Sequence, residues 1–157
     1  MQTPEIDRLS GQVIRSYEVS RIIGVGGFGI VYQAYQRVVE RDVAIKVILP
    51  QYADHPDFIR HFESEAQIIA QLEHPYIVPL YDFWREPGGA YLVMRWLRGG
   101  SLRDHINEVE KLDLPTIARI LDQITEALSV AHQKGIVHQD IKPENILIGS
   151  THVHSAP

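Results

Sequence analysis

The hydrophobic period of this chain changes in an order that few folds accommodate. From Tyr17, the segments YEVSRIIG, IVYQAYQ and RDVAIKVI are three short β-rich runs with turn signals between them, the pattern of an antiparallel meander. Asp57 to Leu72 switch to helical spacing, with Phe58, Phe62, Ile69 and Leu72 on one stripe. His74-Pro75 ends that helix, because proline disfavours the helical conformation in the residue before it. IVPLYDFW and AYLVMRW read as two further strands around the turn sequence REPGG. Asp113 to Gln133 predict the longest helix. Ile117, Ile120, Leu121, Ile124, Leu128 and Ala131 form its apolar face, Pro115 lies in its first turn and Gly135 lies beyond its end. Three strands, a helix, two strands and then helices exclude the βαβα alternation of a parallel sheet. The expected class is α+β: an antiparallel five-stranded sheet with one helix, then the beginning of a mainly helical region.

Composition narrows the function classes. A chain of 157 residues holds one domain, or a small lobe and part of another. The net charge of -5 argues against nucleic acid as a partner. With no cysteine, disulfides and zinc ribbons are excluded and a reducing cytoplasm is the expected compartment. MQTPEIDRLSG lacks the basic start and apolar core of a signal peptide. No apolar run approaches the roughly 18 residues that span a bilayer, so no membrane segment is expected. Residues 1–16 read as a flexible lead-in and residues 150–157 as a disordered polar tail.

GVGGFGIV places Gly24, Gly26 and Gly29 in a GxGxxG pattern. Glycines let backbone N–H groups approach phosphate oxygens without side-chain obstruction. A flexible hairpin turn accounts for the glycines alone equally well. A dinucleotide-binding turn needs a helix immediately afterwards. A β-branched and aromatic run follows instead, which favours a glycine-rich hairpin lying over a nucleotide.

Two charges sit in apolar patterns. In VAIKVI, strand alternation puts Ala44, Lys46 and Ile48 on one face and Val43, Ile45 and Val47 on the other, so Lys46 is expected to be at least partly buried. Glu65 falls on the seam 58, 62, 65, 69, 72, otherwise apolar. A lone buried charge costs several kcal/mol, so the economical arrangement is that the two meet and that Lys46 also reaches an anionic ligand. The alternative is a snorkelling lysine and a solvated glutamate.

His138, Asp140, Lys142 and Asn145 fall within eight residues after the long helix, and Pro143 makes the segment a loop. An aspartate there can orient a substrate hydroxyl, a lysine can neutralise a transferred phosphoryl group, and an asparagine can bind a metal ion. A polar loop with local turn hydrogen bonds is the competing reading. No helical spacing links His132, His138, His152 and His154, so no histidine metal site is expected.

Taken together, GVGGFGIV, VAIK, FESEA followed by HPYIV, YLVMRWLRGGSL and HQDIKPEN resemble the eukaryotic-like protein kinases, in particular the bacterial serine/threonine kinases, in order and spacing from Tyr17 to Ile148. The resemblance implies an N-terminal lobe and hinge over residues 17–97, the start of a second lobe over 98–149, and ATP with Mg²⁺ between the lobes. It implies that Gly24, Gly26 and Gly29 cover the phosphates, that Lys46 holds the α- and β-phosphates and pairs with Glu65, and that Ile23, Val31, Ala44 and Leu147 sandwich the adenine. Met94 matches the gatekeeper, and Arg95 to Leu97 match the hinge. Asp140 matches the catalytic base, Lys142 the phosphate-side cation and Asn145 a magnesium ligand. The implied reaction is phosphoryl transfer from ATP to a protein serine or threonine, and the lysine of DIKPEN matches the serine/threonine rather than the tyrosine pattern.

Two departures from the family pattern matter. HRD is here His138-Gln139-Asp140, so activation through a phosphorylated loop is not expected. No DFG follows, and Asp82-Phe83 is followed by Trp84. The expectation is a truncated kinase fragment without autonomous activity, whose partner is the remainder of the kinase or a downstream domain. The alternatives are a pseudokinase-like module that binds nucleotide or a partner without transfer, and the product of an interrupted reading frame. The bare stripe of the long helix is expected to leave the second half poorly supported. The Lys46–Glu65 pairing is testable by a double-mutant cycle in urea. Coupling of Lys46→Met with Glu65→Gln is expected, and strictly additive losses count against the contact.

Overall fold

Alternating burial organises the first half of the chain into a sheet. In the computed structural model, which describes residues 7–149 and 153–155, the chain divides into two units. The first comprises Met1–Ala66 and Leu80–Trp96, the second Gln67–Pro79 and Leu97–Pro157.

In the first unit the strands are β1 (Val13–Ile14), β2 (Tyr17–Val25), β3 (Gly29–Gln36) and β4 (Arg41–Ile48), then β5 (Leu80–Glu86) and β6 (Gly89–Arg95). They form one antiparallel sheet in the order β1-β2-β3-β4-β6-β5. The five expected strands are present, and β1 adds a sixth within the expected flexible lead-in. Leu9 and Ile14 pack on the sheet core, and this burial orders the segment. The expected strand from Ile77 begins at Leu80 instead, after Pro79, which cannot donate to a strand ladder.

The sheet buries both faces of β4. Val43 and Ile45 enter a core with Tyr17, Val19, Tyr32, Ala34, Trp84 and Val93. Ile48 enters a second cluster with Ala53, Phe62 and Ala90. Ala53 lies on the short α1 (Pro50–Ala53) and Phe62 on α2 (Pro56–Ala70). Within the first core, Trp84 stacks between Tyr17 and Tyr91 at 6.0 and 4.7 Å, with ring planes within 10°. The Arg15 guanidinium lies 4.3 Å over the Trp84 ring. The Tyr17 hydroxyl donates to Asp82 Oδ2 at 3.1 Å, and burial, then the Asp82 charge, pushes its pKa up to about 12.

The second unit contains α3 (Leu102–Val109), α4 (Leu114–Gln133), β7 (Ile146–Ile148) and β8 (Val153–Ser155). Asp113 caps α4 by accepting from the Thr116 N–H at 2.8 Å, with Pro115 in the first turn as expected. Ile120 and Ile124 pack with Leu102 and Ile146. Ala127 and Ala131 pack with Leu72 and Ile77. Four of the six residues of the expected face, Ile120, Ile124, Leu128 and Ala131, are the packed ones; Ile117 and Leu121 at its edge are exposed, and Gln123 is buried. His74 joins the segment after α2 to α4. Its Nδ1 accepts from the Tyr76 N–H at 3.2 Å, which leaves Nε2 as the N–H donor to Glu126 Oε1 at 3.1 Å.

The tail expected to be disordered is corrected in part. Val153–Ser155 pair antiparallel with β7, which supplies backbone partners to an otherwise open strand. Residues 1–6, 150–152 and 156–157 lie outside the described residues, so those expectations stop there. Among the described residues, no helix is long and apolar enough to cross a membrane.

Trp84→Ala empties the centre of a buried aromatic stack and is expected to cost about 3–5 kcal/mol in urea unfolding. Arg15→Ala removes one cation–π contact and is expected to cost no more than about 1 kcal/mol. Equal losses would mean that the column is not the core element it resembles.

Candidate active site

The glycine hairpin joins β2 to β3. The Gly26 N–H donates to the Gly29 carbonyl at 2.9 Å and closes a tight turn. The three glycines are not equivalent. A Cβ on Gly29 would lie 2.3 Å from the Val47 carbonyl oxygen, so no side chain fits there. A Cβ on Gly24 or Gly26 would meet nothing closer than 3.7 Å. Packing demands glycine at Gly29 alone, and the openness at Gly24 and Gly26 is what a ligand approaching the backbone requires.

Lys46 lies on β4, level with Val31 on β3 and Leu92 on β6, and is half-buried as its strand position predicts. Ala44 is level with Gln33 and with Met94, which is 4% exposed. Ile23 and Val31 are half-buried and Arg95 is exposed. Glu65 is exposed, which corrects the expected burial. Phe62 and Ala66, four residues apart, carry the buried face of α2, and Glu65 falls beside that line.

In the second unit the loop after α4 brings three expected residues together. Lys142 Nζ lies 3.2 Å from Asp140 Oδ2. The Asn145 amide nitrogen donates to the Asp140 carbonyl oxygen at 2.9 Å and to its Oδ2 at 3.0 Å. The Asp140 N–H donates to His138 Nδ1 at 3.3 Å. Gln139 between them takes a left-handed backbone, φ 65°, which non-glycine residues rarely adopt. Lys142, then Asn145, holds the Asp140 carboxyl below the usual carboxylate range. Asp140 is therefore an anion at neutral pH with one oxygen engaged by both partners.

A second set of contacts holds this loop in place. Ile146 is 5% exposed and anchors the loop's end in the core. Leu147 bridges to Ser101, and the Ile148 N–H donates to the Gly100 carbonyl at 2.9 Å. A Cβ on Gly99 would lie 2.2 Å from the Ile148 carbonyl oxygen, so the approach of these backbones needs glycine. Leu97 is half-buried at the start of this segment. The Arg103 Nε–H donates to Glu144 Oε1 at 3.0 Å and ties α3 to the loop. The Ser101 hydroxyl accepts from the Asp104 N–H while Asp104 Oδ2 accepts from the Ser101 N–H, a reciprocal cap on α3. Sequence reading missed Arg103, Gly99 and this cap. The signal for the cap was present as Ser-x-x-Asp at 101–104.

The donor set bears on the expected metal. Asn145 spends its amide nitrogen on Asp140, and its remaining polar atom, the side-chain carbonyl oxygen, is a hard donor of the kind Mg²⁺ takes. Among the described residues, no group of three or more His, Cys, Asp or Glu could hold a metal ion alone. A cation here fits only with water and phosphate oxygens completing its shell.

A glycine hairpin over an antiparallel sheet that carries a half-buried lysine, followed by a loop in which lysine and asparagine converge on one aspartate, defines a class. The protein kinase domain model matches residues 17–154, and the chain belongs to that family. Its relatives include the serine/threonine-protein kinase PrkC of Bacillus subtilis, 42% identical over 141 residues, covering 90% of this chain and 21% of PrkC. PknH of Mycobacterium bovis is 35% identical over 142 residues, covering 90% of this chain and 24% of PknH. The chain thus spans about a fifth to a quarter of the length of these curated relatives. The crystal structure of the Mycobacterium tuberculosis PknI kinase domain is 28% identical, with a TM-score of 0.87 over 94% of this chain and 60% of that one.

The cap makes a pH prediction. The Ser101 N–H, then the Ser101 hydroxyl, lowers the pKa of Asp104 from its ordinary value. A lowered folded-state pKa gives stability that is present above the unfolded value and is lost as pH falls through the folded one. Asp104→Asn should therefore flatten the acid limb of the stability curve, followed by far-UV dichroism below about pH 4. An unchanged acid limb means that the cap does not hold the carboxylate.

Proposed function

We propose that this chain is part of a serine/threonine protein kinase that transfers the γ-phosphoryl group of ATP to protein hydroxyls. The observation that carries the reading is the convergence of Lys142 and Asn145 on Asp140. In this reading Asp140 orients the substrate hydroxyl and accepts its proton as the oxygen attacks the γ-phosphorus. The bond to the β-phosphate oxygen then breaks, and ADP leaves. Lys142 offsets charge on the moving phosphoryl group. Lys46 holds the α- and β-phosphates with Glu65 as its carboxylate partner. Backbone N–H groups near Gly24 and Gly26 cover the phosphates, and Ile23, Val31, Ala44 and Leu147 enclose the adenine. Met94 is the gatekeeper, with Arg95 and Leu97 bounding the hinge. Asn145 contributes one oxygen to Mg²⁺, and the metal, when bound, neutralises phosphate charge. A reaction that draws on ATP suits the cytoplasm.

The names and identities of the relatives support serine/threonine specificity. No DFG, the family's other metal-binding motif, occurs in the 157 residues, so binding and transfer are best tested separately. ATP with Mg²⁺ is expected to raise the melting temperature of the chain, and Lys46→Met to abolish the rise. A longer chain that continues through a DFG segment is expected to phosphorylate serine and threonine in a generic protein substrate. Asp140→Asn should lower that rate about 100-fold or more. Full transfer by the Asp140→Asn chain would sink the assignment of Asp140, and transfer to tyrosine alone would sink the specificity.

A further inference from the structure

The tip of the glycine hairpin is not free. Phe28, at the tip, is 54% exposed, yet its ring lies 5.0 Å from that of Tyr52 on α1, the planes inclined at 50°. The Phe28 carbonyl accepts from the Leu49 N–H at 3.0 Å, immediately before α1. One residue further on, Gly29 is pressed against the Val47 carbonyl. These three contacts tie the tip to the end of β4 and to α1. Tyr52 is seated in turn on the cluster of Ile48, Ala53, Phe62 and Ala90, which also holds α2. The arm through Gly24 and Gly26 lacks such close contacts, and Gly27 has nothing within 4 Å of a built Cβ.

We propose that Tyr52 is a positioning residue for the phosphate-covering hairpin: by holding Phe28 it fixes the tip, so that the Gly24–Gly26 arm is presented to phosphates from a fixed base. The inference deepens the ATP reading above and rests on it. Tyr52 touches no phosphate, and its effect passes through Phe28 and the turn that Gly26 and Gly29 close. Its contribution therefore falls on the phosphate part of a nucleotide and not on the base. The same cluster holds Phe62 of α2, so the hairpin tip and the helix bearing Glu65 share one apolar base.

The test uses the whole chain, with ATP plus Mg²⁺ and adenosine as the two probes, and with amide exchange of Gly26 and Leu49 measured without ligand. Tyr52→Ala is expected to weaken ATP binding about three- to tenfold, the scale of one aromatic pair, and to leave adenosine binding unchanged. Tyr52→Phe keeps the ring and is expected to restore wild-type ATP binding. Amide exchange at Gly26 and Leu49, whose N–H groups bond the Gly29 and Phe28 carbonyls, is expected to speed up in Tyr52→Ala and to stay slow in Tyr52→Phe. Equal losses of ATP and adenosine would make Tyr52 a merely structural residue and overturn the proposal. Unchanged amide exchange would overturn it whatever the nucleotide does. If the amides loosen as expected but the wild-type chain binds adenosine and not ATP, the anchoring stands. The phosphate-covering role, and with it the ATP reading, then fails.

Discussion

Burial of β4 on both faces is the constraint from which the first unit follows. A strand with one wet face needs a single partner layer. VAIKVI has apolar residues on both faces, so it requires one cluster around Tyr17 and Trp84 and another around Phe62 and Ala90. That requirement puts β3 and β6 on either side of it and brings α1 and α2 to one face. Lys46 inherits its setting from this arrangement.

The second unit solves a different problem, which is to hold a loop of exposed polar groups still. The Asp140–Lys142 pair is close to half exposed on both sides, and pairs in that setting add little to stability. Its geometry comes from elsewhere. Ile146 is sunk in a core with Ile120 and Ile124, Ile148 lies against Gly99 and Gly100, and Glu144 is held by Arg103. The left-handed turn at Gln139 then aims Asp140 back toward its two partners. Packing supplies the rigidity and the polar residues supply the chemistry, a division common where function sits on loops.

Elements longer than a few residues with a clear period were legible in the sequence: the five strands, α2 and α4. Elements that owe their existence to contacts were not. β1 has two residues and is ordered by a core its sequence does not announce. α3 is short and anchored by a cap and a backbone bridge, and β8 exists as the partner of β7. The stripe predicted for α4 held at Ile120, Ile124, Leu128 and Ala131 and failed at its edge, where Leu121 faces out and Gln123 is buried instead. Glu65 failed for a related reason. A seam drawn through alternating 3- and 4-residue steps accepts it, whereas the helix packs on the 4-residue row of Phe62 and Ala66. At the site, Asp140, Lys142 and Asn145 were visible as a motif, but Arg103 is distant in sequence from the residue it holds and left no local trace.

The unequal glycines have a genetic consequence. Every single-base change that replaces a glycine introduces a Cβ or a stop. At Gly29 and Gly99 that Cβ strikes a backbone carbonyl, so selection for folding alone purges every such allele. At Gly24 and Gly26 the fold tolerates alanine, and only a bound ligand can object. Descendants of this lineage selected for shape alone would hold the first pair invariant and let the second drift. The hairpin therefore records two histories at once, and an unchanged Gly29 testifies to a preserved fold, not to a ligand bound beside it.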